Sequence, residues 1–267
     1  MPYQEKGMHP SLHNQSTEKA LRILELLAES PEPMRLRDLS TALELNPSTA
    51  LRFLSSLQSG GYVQQEPDTQ RYFLTFKLCR LAHLVSARSP LPTVTHPYLQ
   101  RLSAQFQEAL CVSVEQDMHM VYVDVASSPE QTLLSVQRIG NVSPMHCTGN
   151  GKLMLLNYSP EQLDRLAQTT GLPRYTANTV TTREALDAAI RRIRQDGFAY
   201  DNEECEIGVR CLSYPLYDYT GRIVAGMCVT GPVSRMTDEA LAPMHPQLRQ
   251  AAQEISRLLG YAGDFNN

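Results

Sequence analysis

Long apolar runs are absent from this sequence. No stretch approaches the roughly 18 consecutive apolar residues that indicate a membrane-spanning helix. The first residues, MPYQEKGMHPSLHNQ, contain no apolar core segment of the kind that a secretory signal needs. We therefore expect a flexible tail over residues 1–16, no membrane partner and a cytoplasmic location.

A strong charge imbalance and paired cysteines are also absent. The formal net charge is −4 for 267 residues, and the first eighty residues carry equal numbers of basic and acidic side chains. Any contact with nucleic acid must therefore come from a local arrangement of charges. The six cysteines form no CxxC pair, which in a cytoplasmic protein favours free thiols over a disulfide framework.

Three helices are predicted near the N-terminus. In TEKALRILELLAE (17–29), apolar side chains recur at helical spacing and prolines follow. RLRDLSTALEL (35–45) predicts a second, shorter helix. In NPSTALRFLSSLQSGG (46–61), Asn46 is a favourable N-cap, and Pro47 suits the first helical position, where no N–H is needed.

The exposed face of the third predicted helix has a distinctive composition. It carries the hydroxyls of Ser48 and Thr49 and the guanidinium of Arg52, and no acidic residue. Short hydroxyl side chains can approach a phosphate backbone closely, and arginine can reach a guanine edge. Two helices joined by a short turn, the second with such a face, are typical of a helix-turn-helix motif. For Arg52 alone, a solvated surface position is an equally good interpretation.

A hairpin is predicted directly after these helices. GYVQQEPDTQRYFLT (61–75) indicates strand, turn and strand, with the turn at EPDTQ. A hairpin that follows a recognition helix is typical of a winged helix, and Gln70 and Arg71 would lie near its tip, within reach of DNA. We therefore predict a winged helix-turn-helix DNA-binding domain over residues 17–75. A small helical packing domain is the alternative.

The pattern changes after this first domain. FKLCRLAHLVSAR (76–88) predicts a linker helix within residues 76–92, and its exposed apolar side could pair with a second copy of the chain. Short apolar runs of period two then indicate antiparallel strands, with helices at intervals. We predict strands at 109–116, 120–127, 132–139, 198–204, 210–218 and 222–231, and helices at 93–106, 159–166, 181–197 and 237–260. The fold class is therefore α+β, with a central antiparallel sheet flanked by helices over residues 93–267.

The stretch SPMHCTGNGKLM (143–154) carries several residue types that can do chemistry. A nucleotide-binding loop needs GxxxxGK followed by Ser or Thr. Counted back from Gly151, the first glycine position is occupied by His146, and Leu153 follows Lys152. The stretch is therefore not a nucleotide-binding loop.

Two chemical alternatives remain open for this stretch. Cys147 could be a nucleophile only with a base placed to activate it, and the side chain of adjacent His146 points the other way if the segment is extended. His146, Cys147, Cys205 and Cys211 have ligand types that suit zinc, although they lack tight pair spacing. A zinc- or thiol-based sensor, or a thiol-dependent acyl-transfer enzyme, would use these residues.

Structural roles are the simpler interpretation for other residues of this domain. We expect Lys152 to form an ion pair with Glu203 or Glu204 rather than to contact a ligand. Cys111 and Cys228 are interpreted as small apolar residues of strands.

A binding role is also indicated for the same stretch. GNGKLMLL suggests a flexible loop that enters a short helix near Gly149. A helix N-terminus offers unpaired N–H groups and partial positive charge, which suit a carboxylate. Glycine lets a ligand come close to the backbone.

Three segments together resemble a known family. NPSTALRFLSSLQSGGYV, GNVSPMHCTGNGKLML and DNEECEIGVRCLSYPLYDYTGRIVAGMCVTGP resemble the signature regions of IclR-type transcriptional regulators, in the family's order, and the similarity covers about residues 17–260. The resemblance implies a winged helix-turn-helix domain, a linker helix and a GAF-like effector-binding domain. It also implies dimers or tetramers that respond to small metabolites, often carboxylates or aromatic acids. The family often has Lys where Pro47 stands, and Tyr or His where Leu51 stands.

The resemblance also implies which residues bind the effector. It places the effector among His146, Cys147, Thr148, Gly149, Asn150, Asp201, Cys211, Cys228 and Thr230. The residues expected to contact DNA are Asn46, Ser48, Thr49, Arg52, Gln70 and Arg71.

The sequence as a whole predicts a DNA-binding transcriptional repressor, not an enzyme, with no cofactor. Its predicted partners are a double-stranded operator, a small carboxylate effector and a second copy of itself, in a homodimer or homotetramer.

Overall fold

The computed structural model describes residues 14–86, 90–127 and 138–264, which divide into two compact units, with the division between Val85 and Ser86. Most of the predicted strand at 132–139 and most of the predicted N-terminal tail lie outside the described residues. The domain limits derived from the sequence stay a prediction. Among the described helices, none is both long and apolar enough to cross a membrane.

The first unit is built from helices and a small sheet. Its elements are α1 (Gln15–Glu29), β1 (Met34–Arg35), α2 (Leu36–Ala42), α3 (Pro47–Ser59), β2 (Val63–Gln65) and β3 (Arg71–Leu74), and α4 (Lys77–Ser86) follows at its end. The sheet is antiparallel with the order β1-β3-β2. The three predicted helices, the hairpin and the presence of a helix after it are confirmed. The two-residue strand β1 was missed, because so short a segment shows no alternation.

The termini of α3 follow from its sequence. The side chain of Asn46 accepts a hydrogen bond from the backbone N–H of Ser48, and Pro47 occupies the first turn. One face of the helix is buried: Ala50 and Leu54 are fully buried, and Leu54 packs in one apolar cluster with Ile23 and Leu39. The opposite face of α3 is therefore left toward solvent.

The second unit contains one antiparallel sheet of six described strands in the order β6-β5-β4-β9-β8-β7. The strands are β4 (Ala109–Gln116), β5 (His119–Ala126), β6 (Val142–Pro144), β7 (Ala199–Asn202), β8 (Val209–Tyr217) and β9 (Ile223–Pro232). The helices are α5 (Pro90–Phe106), α6 (Gly149–Met154), α7 (Pro160–Thr170), α8 (Arg183–Asp196), α9 (Asp238–Leu241) and α10 (Met244–Leu258), with a 3₁₀ turn at Leu155–Asn157. The α+β prediction is confirmed.

Two predicted elements of this unit need correction. The strand predicted at 198–204 ends at Asn202, because Glu203 adopts a left-handed backbone conformation with φ of 54° and begins a turn. The short strand β6 was not predicted. The closing helix is interrupted near Pro243, as its sequence indicated.

The sheet carries a helical layer on each face. Along β9, Ala225, Met227 and Val229 point to the face covered by α5 and α10, where they join the apolar core. The alternate residues of the strand, including Cys228 and Thr230, point to the other face. That second face meets α6, and its composition of small and polar residues sets it apart from the core.

Two leucines of α3 differ in burial and therefore in their expected contribution to stability. We expect Leu54→Ala to destabilise the first unit by about 2–5 kcal/mol, because the side chain is fully buried and its removal leaves a cavity. Leu51, three residues earlier, is 47% exposed, and Leu51→Ala should change stability by less than about 0.5 kcal/mol. Thermal unfolding of the full-length variants measures both effects. Equal destabilisation by the two substitutions would contradict the packing described for α3.

Candidate functional sites

The first candidate site is the exposed face of α3. Ser48 and Arg52 are exposed, and Thr49 is half-buried at the edge of this face. Asn46 Oδ1 accepts from the Ser48 N–H at 3.2 Å and from the Ser48 hydroxyl at 3.0 Å, so this oxygen is engaged in capping the helix. The face therefore presents hydroxyl groups and a cation on a rigid helix.

The hairpin places the other two predicted DNA contacts beside its turn. Gln70 lies in a left-handed conformation with φ of 58°, and its amide donates to the Pro67 carbonyl at 2.8 Å. Arg71 begins β3, and its guanidinium donates to the Pro33 carbonyl at 3.3 Å. Both side chains are thus partly engaged within the first unit, and their contact with DNA stays a prediction.

The second candidate site lies where α6 meets the sheet. Thr148 caps α6: its hydroxyl accepts from the Gly151 N–H at 3.2 Å and donates to the Pro144 carbonyl at 2.6 Å. The expected flexible loop over residues 146–150 is wrong, because His146, Cys147 and Asn150 are almost fully buried. The stretch is a packed part of the second unit.

A row of small polar side chains crosses the sheet under α6. Asn150 Nδ2 donates to Ser113 Oγ at 2.9 Å, and Asn150 lies beside Cys111. The thiols of Cys111 and Cys228 are 3.1 Å apart, because these residues stand opposite each other on β4 and β9.

The row continues onto β8 and β7. Cys211 Sγ lies 3.0 Å from Thr230 Oγ1, and these two residues also pair directly across β8 and β9. Asp201 on β7 pairs with Cys211. The fold therefore gathers Asn150, Asp201, Cys211, Cys228 and Thr230, which the sequence scatters over eighty residues.

Asp201 is the charged group of this row. Its carboxylate accepts backbone N–H bonds from Glu204 at 2.8 Å and Cys205 at 3.3 Å. Burial raises the pKa of Asp201 to about 7, and the nearby charge of Glu204 also raises it, while the Glu204 N–H and Lys152 lower it. The carboxyl is thus partly protonated near neutral pH.

Lys152 is engaged in an ion pair with Glu204, and both side chains are largely buried. This confirms the predicted structural role of the lysine. Glu203 instead accepts the Gly208 N–H at 2.8 Å and holds the turn after β7 closed. The ion pair joins α6 to the turn whose N–H groups hold Asp201.

The geometry does not support thiol catalysis at Cys147. The thiol is buried, and contact with Cys205 together with burial raises its pKa, so the reactive thiolate is disfavoured. His146 Nε2 lies 3.0 Å from the Pro173 carbonyl, and burial lowers the pKa of the imidazole. The Nε2 nitrogen of His146 is therefore directed to the backbone.

Zinc binding by the predicted set is not supported either. Within residues 14–86, 90–127 and 138–264, no three His, Cys, Asp or Glu side chains are arranged to hold a metal ion. His146, Cys147, Cys205 and Cys211 therefore do not form a zinc centre in the described structure.

Two residues on this face of the sheet, Ser113 and Ser213, were not singled out from the sequence. Cys111, interpreted as a small apolar strand residue, is fully buried on β4. Among the described atoms, Ser213 Oγ and Asn150 Oδ1 are buried without a hydrogen-bond partner. Period-two alternation would have placed Ser113 beside Cys111 and Ser213 beside Cys211 on one face.

Comparison with known proteins identifies the family. Residues 16–67 match the IclR helix-turn-helix domain, and residues 83–257 match the C-terminal domain of bacterial IclR transcriptional regulators. The chain belongs to the IclR family. It is a DNA-binding transcriptional regulator with a helix-turn-helix domain and an effector-binding domain, as the resemblance in its sequence implied.

Relatives of known name span nearly the whole chain. The transcriptional regulator XynR of Escherichia coli is 31% identical over 247 residues, which cover 92% of this chain and 98% of that protein. The crystal structure of Thermotoga maritima IclR superposes with a TM-score of 0.78 at 28% identity, covering 93% of this chain and 100% of the other.

A more distant IclR-family structure contains a ligand. The homologue from Microbacterium hydrocarbonoxydans, solved in complex with 4-hydroxybenzoate, is 21% identical with a TM-score of 0.78, and covers 92% of this chain and 99% of its own. At this identity the likeness establishes the fold alone.

The raised pKa of Asp201 predicts a pH-dependent effect of Asp201→Asn. An unfolded aspartate has a pKa of about 4, so the folded protein retains a proton that the unfolded chain has lost between about pH 4 and pH 7. The stability that the protonated Asp201 carboxyl contributes is fully present below about pH 4 and is lost as pH rises through 7. Asp201→Asn should therefore be more stable than the wild type at pH 8, by about 1–3 kcal/mol, and should lose this advantage near pH 4.5.

Asp218 provides the control for this measurement. It is half-buried, and a hydrogen bond from Thr220 lowers the pKa of its carboxyl. The ionised Asp218 carboxylate therefore stabilises the folded protein above about pH 4, and this stabilisation is lost as pH falls. Asp218→Asn should not stabilise the protein at pH 8. Thermal unfolding between pH 4.5 and 8 tests both variants. An Asp201→Asn variant that is equally destabilised at every pH would show that the carboxyl is not held at a raised pKa.

Proposed function

We propose that this regulator is a repressor whose operator binding by α3 is controlled by a small carboxylate bound at the polar row under α6. The observation that carries the proposal is the meeting of Asn150, Asp201, Cys211, Cys228 and Thr230 on one sheet face. An ordinary core would place apolar residues at these strand positions. Short polar side chains are instead suited to a small polar ligand.

The chemistry of the row favours an anion. Hydroxyl, thiol and amide groups can donate hydrogen bonds to carboxylate oxygens. A protonated Asp201 can donate as well, because its pKa of about 7 leaves a proton on the carboxyl near neutral pH. The carboxylate found in the Microbacterium homologue agrees with this choice of ligand class. The proposed site includes the segment from His146 to Asn150, whose buried backbone lies beside the row.

At the DNA end, we assign sequence recognition to α3. Ser48, Thr49 and Arg52 enter the major groove, and Asn46 lies at the helix start beside the phosphates. Gln70 and Arg71 support binding from the hairpin. A two-fold operator requires two copies, so a homodimer or homotetramer is the binding species.

Effector control requires that the ligand distinguish two arrangements of this assembly. A ligand shifts an equilibrium only by the difference between its affinities for the two states. We assign the connection to α4, which joins the two units along the chain. In a repressor, the arrangement with bound carboxylate has the weaker affinity for the operator.

Arg52→Ala tests the DNA end. We expect a loss of about 1–3 kcal/mol in affinity and a relaxed preference at one base pair, because a bidentate arginine–guanine contact is removed. The probe is a duplex selected by the wild-type protein from a random pool, and binding is measured by fluorescence anisotropy at fixed salt. Arg22→Ala, an exposed arginine on α1, is the control and should change affinity far less. Unchanged affinity and preference in Arg52→Ala would exclude α3 as the recognition helix.

Matched carboxylates and amides test the effector end. Thermal unfolding with 4-hydroxybenzoate and a panel of small carboxylates should reveal at least one that raises the melting temperature, while the corresponding amide does not. Thr230→Val removes the hydroxyl beside Cys211 and should abolish the stabilisation. Thr170→Val, on α7 of the same unit, should retain it. Equal stabilisation by the acid and its amide, or its persistence in Thr230→Val, would contradict the proposed site.

A further inference from the structure

Leu51 is the feature of α3 that the proposed contacts leave unexplained. It is 47% exposed, whereas the neighbouring Ala50 and the later Leu54 are fully buried. One helical turn before and after it stand Ser48 and Ser55, which are also exposed. Leu51 therefore lies on the solvent side of the helix, immediately before Arg52.

The surroundings of Leu51 distinguish it from an ordinary surface leucine. A single exposed leucine needs no explanation on most surfaces. This one stands among short serines on a helix that contains no acidic residue. Because the serines are short, Leu51 and Arg52 are the side chains that protrude furthest from this face. One protruding group is cationic and the other is apolar.

The major groove offers a matching apolar group at only one base. Thymine carries a C5-methyl group there, whereas the other base edges present hydrogen-bond donors and acceptors. Successive residues of a helix are about 100° apart in rotation and about 1.5 Å apart along the axis. If Arg52 contacts a guanine, Leu51 is therefore positioned for a base pair next to it.

We propose that Leu51 reads the methyl group of a thymine adjacent to the base pair contacted by Arg52. This inference rests on the proposed function, because it requires α3 to enter the major groove. The contact made by Leu51 adds an apolar interaction to the polar ones. It specifies thymine through its methyl group, which arginine and serine do not recognise.

Replacement of thymine by deoxyuridine tests the contact, because it removes only the methyl group. Duplexes selected by the wild-type protein from a random pool are resynthesised with one thymine at a time replaced. We expect wild-type affinity to fall roughly three- to tenfold at one position in each half-site, as for the loss of a buried methyl group. Leu51→Ala should bind the thymine and deoxyuridine duplexes equally at that position.

Two control variants make the outcome specific. Leu21→Ala removes a leucine of similar exposure, 52%, from α1, and should keep the wild-type response to deoxyuridine. Arg52→Ala should lose affinity for both duplexes and still distinguish them. Thermal unfolding of Leu51→Ala verifies that the first unit remains folded.

Each failure has a separate meaning. Selected sites without a fixed thymine, a wild-type protein indifferent to every replacement, or a Leu51→Ala variant that still distinguishes the duplexes would each overturn the inference. If Arg52→Ala nevertheless weakens binding, the proposed function stands. If neither Arg52→Ala nor Leu51→Ala changes binding, the assignment of α3 to the major groove fails as well.

Discussion

The close approach of α6 to the six-stranded sheet is the constraint on which the second unit depends. A side chain at Gly149 would place its Cβ 2.3 Å from Ser213 Oγ, and one at Gly226 would place it 2.6 Å from the Asn150 amide. A Cβ at Gly151 would lie 2.4 Å from the Met145 Cα. Only glycine at these three points lets the helix lie so close, and this closeness brings the start of α6 into contact with the strands.

The buried polar side chains of the resulting row lower the free energy of unfolding. A buried hydroxyl or amide oxygen without a partner costs about 1–3 kcal/mol, and Ser213 Oγ and Asn150 Oδ1 are such atoms in the described structure. A carboxyl that shares this environment, Asp201, has its pKa raised to about 7 by burial. Ionisable groups with strongly shifted pKa values occur preferentially at functional sites. The opposite face of the same sheet, with Leu212, Met227 and Val229, provides the stability that this face does not.

Local features of the sequence predicted the elements, and long-range contacts determined the site. Asn46 and Pro47 mark the start of α3, and the reciprocal hydrogen bonds of Ser159 and Gln162 mark that of α7. Each of these signals involves neighbours in the chain. The contact between Cys111 and Cys228 joins residues that are 117 positions apart, and no local pattern reports which strands pair. The burial of residues 146–150 was missed for the same reason, because it depends on a sheet assembled from both ends of the unit.

We propose that binding of a ligand at the polar row and binding of DNA at α3 are coupled. Linkage requires that each changes the affinity of the other by the same factor. The direct measurement is therefore the affinity of the full-length protein for its selected duplex with and without a saturating carboxylate from the thermal screen, together with the converse titration of that carboxylate with and without duplex. We expect each ligand to weaken the binding of the other by the same factor, roughly fivefold or more, and Thr230→Val to remove the effect in both directions. Operator affinity that is the same with and without the stabilising carboxylate would contradict the proposed coupling.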